Sequence, residues 1–423
     1  MQIHLADHVL PISGPPLQKG AVAVSGETIT AVGAADEILP RFPEARRTDH
    51  GNAALLPGFV NCHSHLELTS LRGRLDDVEH DFRSWLLKLT SIRSEMTDIE
   101  IRASALAGAR EGAAAGITCF GDIGRSGFAG VEALKQVGLR GIVFQETEFS
   151  PDDRTAADDF GRLAEIFESM YGNSTDLVKV GLSPHSAYTV SSRLFELISQ
   201  YSIVNRIPIS IHAAESSAEY ELLMEGKGFF TEVYEKFDVE WAAPRCTAVQ
   251  YLERLGVLAA RPLLAHCVTV DQDDIKRLAD YDIRVAHCPR SNAKFGHGWA
   301  PLEQLCDAQI KVGLGSDSVA SNNICDILGE SAFAALGARN RPGSVRMFSA
   351  ADALRTATLG GAAALGLEDS IGSLEPGKMA DMAVIGLDAL CQEPVNDIES
   401  ALVFSSSGRD VIATYVAGTQ VYP

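Results

Sequence analysis

The sequence predicts an α/β protein, a (β/α)8 TIM barrel with a small β-sandwich domain formed from both termini. Two observations predict this fold. Strand-like apolar runs alternate with helical or long loop segments eight times in the middle of the chain. Polar residues follow these runs where each strand would end, which is the catalytic face of such a barrel. A doubly wound open sheet is the alternative architecture.

The eight candidate strands are short runs rich in Val, Ile, Leu and Ala, as expected for strands buried on both faces. After the first strand, Thr97 and Glu100 form a capping-box pattern that opens a helix running to about Ala115, and Gly116 ends it. In chain order the candidate strands are 55–65, 116–124, 141–149, 178–185, 207–215, 262–270, 283–289 and 311–318.

Both ends of the chain consist of short β-rich runs separated by Gly and Pro turns, for example 20–33 and 371–388. We expect these ends to pack together as one small domain. The predicted boundaries are 1–56 and 369–423 for the two parts of the β-sandwich domain, and 57–368 for the barrel.

Composition and net charge limit the kinds of molecule that the protein is expected to bind. The chain has 423 residues, 46% of them hydrophobic, and a formal net charge of −20. An acidic protein repels phosphate backbones, so we expect a small-molecule substrate and neither nucleic acid nor a membrane. The start of the sequence lacks a signal-peptide pattern, and the eight cysteines form no Cys-x-x-Cys pair, so we expect a cytoplasmic protein with reduced thiols. A homodimer or higher homo-oligomer is also compatible with this composition.

The stretch NCHSHLEL (61–68) places two histidines one residue apart at the end of the apolar run 53–60, which reads as one buried strand. Residues i and i+2 of a strand point to the same face, so His63 and His65 would aim together. That geometry suits a metal ion, and the alternative is a pair of partly exposed loop histidines.

Other histidines also lie at the ends of candidate strands. Imidazole and carboxylate are good ligands for zinc and iron, and His63, His65, His212 and Asp317 would form an N3O set with room for a water. Asp122, Glu146 and Glu148 also lie at strand ends, where the sequence assigns them no role. Seven of the 11 histidines lie at candidate strand ends or just after them: His63, His65, His185, His212, His266, His287 and His297.

A set of short motifs lies at the candidate strand ends and at the return to the terminal β region. They are LLPGFVNCHSHLEL, SIHAAES, LLAHC, HCPRSN followed by FGHG, VGLGSDSVASNN and the closing GSLEPGKMADMAVI. Taken together, these motifs resemble the amidohydrolase superfamily, and within it the branch of cytosine-, guanine- and adenosine-type deaminases and chlorohydrolases. The resemblance covers essentially the whole chain.

The resemblance implies a site with one divalent metal ion, zinc in preference to iron. Glu215 would be the proton shuttle, and His266 and Asp317 would activate the attacking water. Binuclear members place a lysine at the end of the fourth barrel strand, but Lys179 lies six residues before His185, at the wrong end of that strand. The implied metal ligands are His63, His65, His212 and Asp317.

The resemblance also implies substrate-binding residues. His185 matches a position that contacts substrate, or it supports a metal ligand instead. Trp85 would cover the substrate ring, or belongs to an amphipathic helix that packs on the barrel. Relatives acting on S-adenosylhomocysteine are expected to have a glutamate beside this tryptophan, where Ser84 stands here, and no arginine pair follows the third strand.

The segment after the seventh strand is similar to the subgroup linked to aminodeoxyfutalosine. Arg290 would pair with the aryl carboxylate of that substrate. His297 would lie near the same barrel mouth and bind substrate there, and Ser321, in the motif VGLGSDSVASNN, is also expected to bind substrate.

The predicted function is metal-dependent hydrolytic deamination of an aminopurine nucleoside, 6-aminodeoxyfutalosine or adenosine-like, with a carbonyl formed and ammonia released. Alternatives within the same machinery are dechlorination or dealkylamination of a triazine-like heterocycle, and deamination of guanine- or cytosine-type bases. A non-catalytic metal-binding barrel would be expected to lack Glu215, His266 or Asp317, and all three are present. The absence of a lysine at the end of the fourth strand disfavours ring-opening amide hydrolysis.

Overall fold

A computed structural model of the protein describes residues 1–344 and 346–423. The strands are β1 (Gln2–Val9), β2 (Leu17–Ser25), β3 (Thr28–Ala34), β4 (Arg46–Asp49), β5 (Ala53–Pro57), β6 (Phe59–Ser64), β7 (Ile117–Gly124), β8 (Arg140–Glu146), β9 (Val178–Ser183), β10 (Ser210–Ala213), β11 (Leu263–His266), β12 (Arg284–His287), β13 (Lys311–Leu314), β14 (Met382–Gly386), β15 (Val411–Val416) and β16 (Thr419–Tyr422).

Helices alternate with the barrel strands. They are α1 (Ala35–Ile38), α2 (Phe82–Glu95), α3 (Asp98–Ala114), α4 (Gly127–Val137), α5 (Ala156–Tyr171), α6 (Ser192–Asn205), α7 (Ser217–Glu225), α8 (Phe229–Lys236), α9 (Ala248–Arg254), α10 (Gln272–Asp280), α11 (Pro289–Lys294), α12 (Leu302–Asp307), α13 (Val319–Asn322), α14 (Ile327–Asn340), α15 (Ala350–Arg355), α16 (Gly361–Leu365) and α17 (Ile398–Ser405). No helix among the described residues is both long and apolar enough to span a membrane.

The eight strands β6 to β13 form a closed parallel barrel. They are hydrogen-bonded in sequence order as two four-stranded sheets, β6 to β9 and β10 to β13. Parallel bridges between Leu182 and Ile209, and between Ser64 and Asp317, join the two sheets and close the ring. The predicted barrel is therefore confirmed, and the open-sheet alternative is wrong.

The chain ends form a second sheet of eight strands, in the order β16-β15-β14-β5-β1-β2-β3, with β4 paired to β1. Because β14 pairs antiparallel with β5, the strands from the two ends of the chain lie side by side in one hydrogen-bonded layer. This confirms a small β domain built from both termini. The boundaries at 56 and 368 stay predictions.

The apolar run 53–60 is not one strand, as the sequence suggested. It divides at Gly58, whose N–H donates to the carbonyl of Asp381 (3.0 Å). A Cβ at Gly58 would lie 2.1 Å from Thr118 Cγ2, so only glycine fits this close approach. The residues before it, in β5, pair in the terminal sheet, and those after it, in β6, pair in the barrel.

The loop after β6 brings α2 over the barrel mouth, and α3 follows as the capping box predicts. Thr97 Oγ1 accepts from the Glu100 N–H (3.3 Å), and the Thr97 N–H donates to Glu100 Oε2 (2.8 Å). Gly116, with φ +79°, follows the end of this helix and leads into β7. Trp85 on α2 packs into an apolar cluster with Leu68 and Leu71.

Candidate active site

The structure brings together the four residues predicted as metal ligands, at the carboxyl ends of their strands. His65 Nε2 lies 3.3 Å from His212 Nε2 and 3.5 Å from Asp317 Oδ1. His63 Nε2 lies 3.4 Å from the same aspartate oxygen. We call His63, His65, His212 and Asp317 the imidazole cluster.

The donor atoms of the imidazole cluster fit a divalent metal. All four side chains are buried. Both ring nitrogens of His63 and Nδ1 of His65 have no hydrogen-bond partner among the described residues. A buried polar atom without a partner costs about 1–3 kcal/mol, so these nitrogens imply a ligand. Three imidazoles and one carboxylate are a donor set that divalent metals favour.

Burial sets the protonation state of the imidazole cluster. It lowers the pKa of His63 to about 4 and, with the neighbouring imidazoles, lowers the pKa of His212 well below its usual value. Burial opposes ionisation of Asp317, but the imidazoles that face it, His63 first among them, hold the pKa of this carboxyl well below its usual range. Neutral imidazole and ionised carboxylate are the forms that bind metals.

Two hydroxyls orient Asp317. Ser291 Oγ donates to its Oδ2 at 2.6 Å and Ser321 Oγ at 2.8 Å, so Oδ1 remains to face the histidines. The structure thus places Ser321, predicted to bind substrate, against this carboxylate. Asp317 also has φ +56°, a strained conformation that often occurs at functional sites.

Glu215 lies beside the imidazole cluster. Its Oε1 is 3.7 Å from His266 Nε2 and 3.9 Å from His297 Nε2. Its Oε2 accepts from the hydroxyl of buried Tyr188 (3.1 Å). His266 Nδ1 is 2.9 Å from Asn292 Oδ1, an amide oxygen that can only accept, so this contact fixes the proton on Nδ1 and leaves Nε2 facing the site.

His185 lies against a predicted metal ligand, which fits one of its two predicted roles. Its backbone carbonyl faces His212 Nδ1 (3.2 Å), which orients that ring. Its own ring is held through Nδ1 by Ser186 Oγ (2.9 Å) and Thr189 Oγ1 (2.8 Å). The ring Nε2 points toward Glu146, with a distance of 3.9 Å to Oε1.

Aromatic side chains of α2 pack against Phe295 and His297, close to Glu215. Trp85 meets Phe295 edge-on with 4.9 Å between ring centroids. Phe295 in turn stacks on His297 at 5.2 Å, and Phe82 meets His297 edge-on at 4.9 Å. His297 therefore joins this group to Glu215, while Trp85 lies one ring further out.

Arg290 lies elsewhere. Its Nε is 3.2 Å from Glu330 Oε1, and its guanidinium lies 5.5 Å from the ring centroid of Phe333. Glu330 is fully buried on α14, so its carboxylate requires a cationic partner. The structure does not bring Arg290 to the imidazole cluster.

The sequence placed Glu146 at a strand end but did not identify the ion pairs that the structure forms around it. Arg93 on α2 pairs with Glu67 and lies 3.4 Å from Glu146 Oε2, and Arg125 Nε lies 3.3 Å from the same oxygen. Burial opposes ionisation of Glu146, but His185 and the two arginines hold its pKa at about 2. We call Glu67, Arg93, Arg125 and Glu146 the ion-pair network.

The sequence analysis also did not identify several residues that contact the predicted catalytic groups. Ser291 and Asn292 lie inside the HCPRSN motif, so their proximity to His287 in sequence was an available signal. Tyr188 follows His185 by three residues, but nothing in the sequence indicates its contact with Glu215. Arg93 comes from a helix in a long loop, where no local pattern predicts its partners.

Comparison with known proteins gives consistent results. The model of the amidohydrolase family matches residues 54–421, and a short model of an imidazolonepropionase-like composite domain matches residues 20–45. The 5-methylthioadenosine/S-adenosylhomocysteine deaminase of Moorella thermoacetica is 31% identical over 411 residues, covering 97% of this chain and 91% of that protein.

Solved structures show the same fold. An adenosine deaminase from Xanthomonas campestris with bound zinc is 29% identical, with a TM-score of 0.87 over 99% of this chain and 92% of its own. The aminofutalosine deaminase of Helicobacter pylori is 20% identical, with a TM-score of 0.83 over 99% and 100% of the two chains, which is a likeness of fold. Because the family model covers most of the sequence, the chain belongs to the amidohydrolase family.

Proposed function

We propose that this protein is a metal-dependent hydrolytic deaminase that replaces the exocyclic amine of an adenosine-like nucleoside by a carbonyl and releases ammonia. The observation that carries the proposal is the placement of Glu215, with Oε1 3.7 Å from His266 Nε2, beside the imidazole cluster. Relatives covering nearly the whole chain are deaminases of 5-methylthioadenosine and S-adenosylhomocysteine, which supports the same substrate class.

The imidazole cluster would hold one metal ion, and we propose zinc, with iron as the alternative. Its unpartnered imidazole nitrogens and the zinc in the Xanthomonas structure support that choice. When bound, a divalent cation supplies the Lewis acidity that makes water a nucleophile near neutral pH.

Glu215 would move the protons. Its Oε2 is held by Tyr188, so Oε1 is the oxygen that faces the site. From there it would pass one proton of the attacking water to a ring nitrogen of the purine, which makes the neighbouring C–NH2 carbon a better electrophile, and later pass the second proton of that water to the departing amine.

His266 and Asp317 would position the attacking water. Asn292 keeps the Nδ1 proton on His266, so Nε2 can accept a proton or a hydrogen bond from that water. Ser291 and Ser321 fix the Asp317 carboxylate so that only Oδ1 faces the reacting groups. Fixed dipoles of this kind stabilise the charge that develops during attack.

The proposal also covers the location of the enzyme and its binding partners. The eight cysteines are free thiols, which supports a cytoplasmic enzyme. Its partner would be a small heterocyclic substrate, and the oligomeric state stays a prediction.

Ammonia release from the purified protein, loaded in turn with zinc and iron, tests the proposal. The panel comprises adenosine, methylthioadenosine, S-adenosylhomocysteine, aminodeoxyfutalosine, guanine, cytosine and a chlorotriazine. We expect turnover of at least one 6-aminopurine nucleoside. Chloride release from the triazine with no ammonia from any nucleoside would contradict the proposal.

A further inference from the structure

Glu146 has one oxygen that the protein does not use. The residue ends β8 and its side chain is almost fully buried. Oε2 accepts from Arg93 Nη1 (3.4 Å) and Arg125 Nε (3.3 Å). Oε1 accepts no hydrogen bond from any described residue, and the ring Nε2 of His185 lies 3.9 Å from it.

The charges around Glu146 determine what this oxygen can bind. Arg93 also pairs with Glu67, and Arg125 also pairs with Glu148 at 3.2 Å. Each guanidinium therefore has two carboxylate partners already. The group presents an anionic hydrogen-bond acceptor to a ligand, and so it selects hydrogen-bond donors and disfavours anions.

The position of Glu146 places that acceptor in the substrate site. Ligand atoms of Glu146, His185 and His212 all lie within 4.8 Å of one another. A substrate whose reacting carbon lies at the imidazole cluster would extend past His185 toward Glu146, since both follow strands on the opposite side of the barrel from Asp317.

We propose that the Glu146 carboxylate binds the vicinal hydroxyls of the substrate sugar and so selects ribonucleosides. This inference rests on the proposed function, which supplies the nucleoside. A carboxylate oxygen can accept from one or both hydroxyls of a diol, and charge-assisted hydrogen bonds of this kind change affinity by roughly 10- to 100-fold.

A second metal ion is the competing occupant, because the same three residues have suitable atoms. His212 argues against it. Its Nδ1 faces the carbonyl of His185 at 3.2 Å, and its Nε2 faces His65 Nε2 at 3.3 Å within the imidazole cluster, so neither nitrogen is available to a second metal ion. Metal content is therefore part of the test.

Calorimetry with inosine and 2′,3′-dideoxyinosine on the zinc-loaded protein tests the inference without requiring turnover. We expect wild-type protein to bind inosine roughly 10- to 100-fold more tightly, and Glu146→Gln to bind the two within about threefold. Glu148→Gln is the matched control, since Glu148 is exposed and pairs with the same Arg125, and it should keep the wild-type preference.

Each outcome decides the matter. Equal binding of both ligands by wild-type protein, or no binding of inosine, overturns the inference, as does a preference that survives Glu146→Gln. Loss of one metal equivalent in Glu146→Gln points to a second ion and overturns it too. If wild-type protein prefers inosine but releases no ammonia from any nucleoside, the proposed function fails and the diol site stands. If Glu146→Gln does not fold, Glu146→Asp, which withdraws the carboxylate, should reduce the preference.

Discussion

The two sides of the barrel mouth handle buried polar groups in opposite ways. In the imidazole cluster, buried ring nitrogens have no partner among the described residues. In the ion-pair network, every guanidinium contacts two carboxylates, and one oxygen of Glu146 remains. An unpartnered set is completed by a ligand, whereas the charges of a paired set already compensate one another within the protein.

This difference separates the consequences of mutation. Removing a group from the imidazole cluster should affect the bound metal and turnover more than folding. Removing a charge from the ion-pair network should affect folding, because it leaves buried carboxylates uncompensated. Four substitutions test this contrast.

The largest effect is expected from His65→Ala. It removes one of the metal ligands, so metal content and turnover should fall together, with kcat/KM lower by about 10^4-fold. The free energy of unfolding of the metal-free protein should change little. Metal analysis beside ammonia release checks this, with His80→Ala as the control, because His80 is exposed. Retained metal in His65→Ala would contradict the assignment.

Glu215→Gln comes next. The amide keeps the shape and the contact with Tyr188 but cannot shuttle protons, so kcat should fall about 10^2- to 10^4-fold. Metal content should stay at the wild-type level. Glu221→Gln, on the exposed face of α7, is the matched control. A fully active Glu215→Gln enzyme would refute the shuttle role.

Arg93→Met tests the other side of the mouth. It leaves Glu67 without its cation and Glu146 with only Arg125, so the free energy of unfolding should fall by about 3 kcal/mol. Urea unfolding measures this. Arg102→Met breaks an exposed pair with Glu132 and should cost less than about 1 kcal/mol. Equal losses in the two variants would mean that the network is not stabilising.

The smallest effect is expected from Tyr188→Phe. Loss of one hydrogen bond to Glu215 Oε2 should lower kcat about tenfold and leave KM nearly unchanged, since the hydroxyl orients the shuttle and not the substrate. Tyr234→Phe, buried in the same apolar cluster, controls for loss of a hydroxyl. A change confined to KM would move Tyr188 into the substrate site.

The imidazole cluster could be predicted from the sequence because each member lies at or just after a strand end, and parallel strands in a barrel bring those ends together. The alternation of strand side chains also aligned His63 with His65. The barrel and the terminal β domain followed from the same patterns, and the break at Gly58 did not, since apolar residues continue across it.

The ion-pair network could not be predicted in this way. Arg93 lies on a helix after a long loop, and its contacts with Glu67 and Glu146 depend on how that helix crosses the barrel mouth. The partner of Arg290 could not be predicted from the sequence either. Its position suggested a substrate contact, but Glu330, 40 residues later and buried, is its partner.

The pairing of β5 with β14 has a consequence for synthesis of the chain. About 320 residues separate the two strands, so β5 leaves the ribosome long before its partner exists. Until then its edge is open on that side, and an open strand edge is a site for unwanted pairing. β14 therefore closes a layer that β5 began much earlier in synthesis, and loss of β14 would leave that edge of β5 open beside a completed barrel.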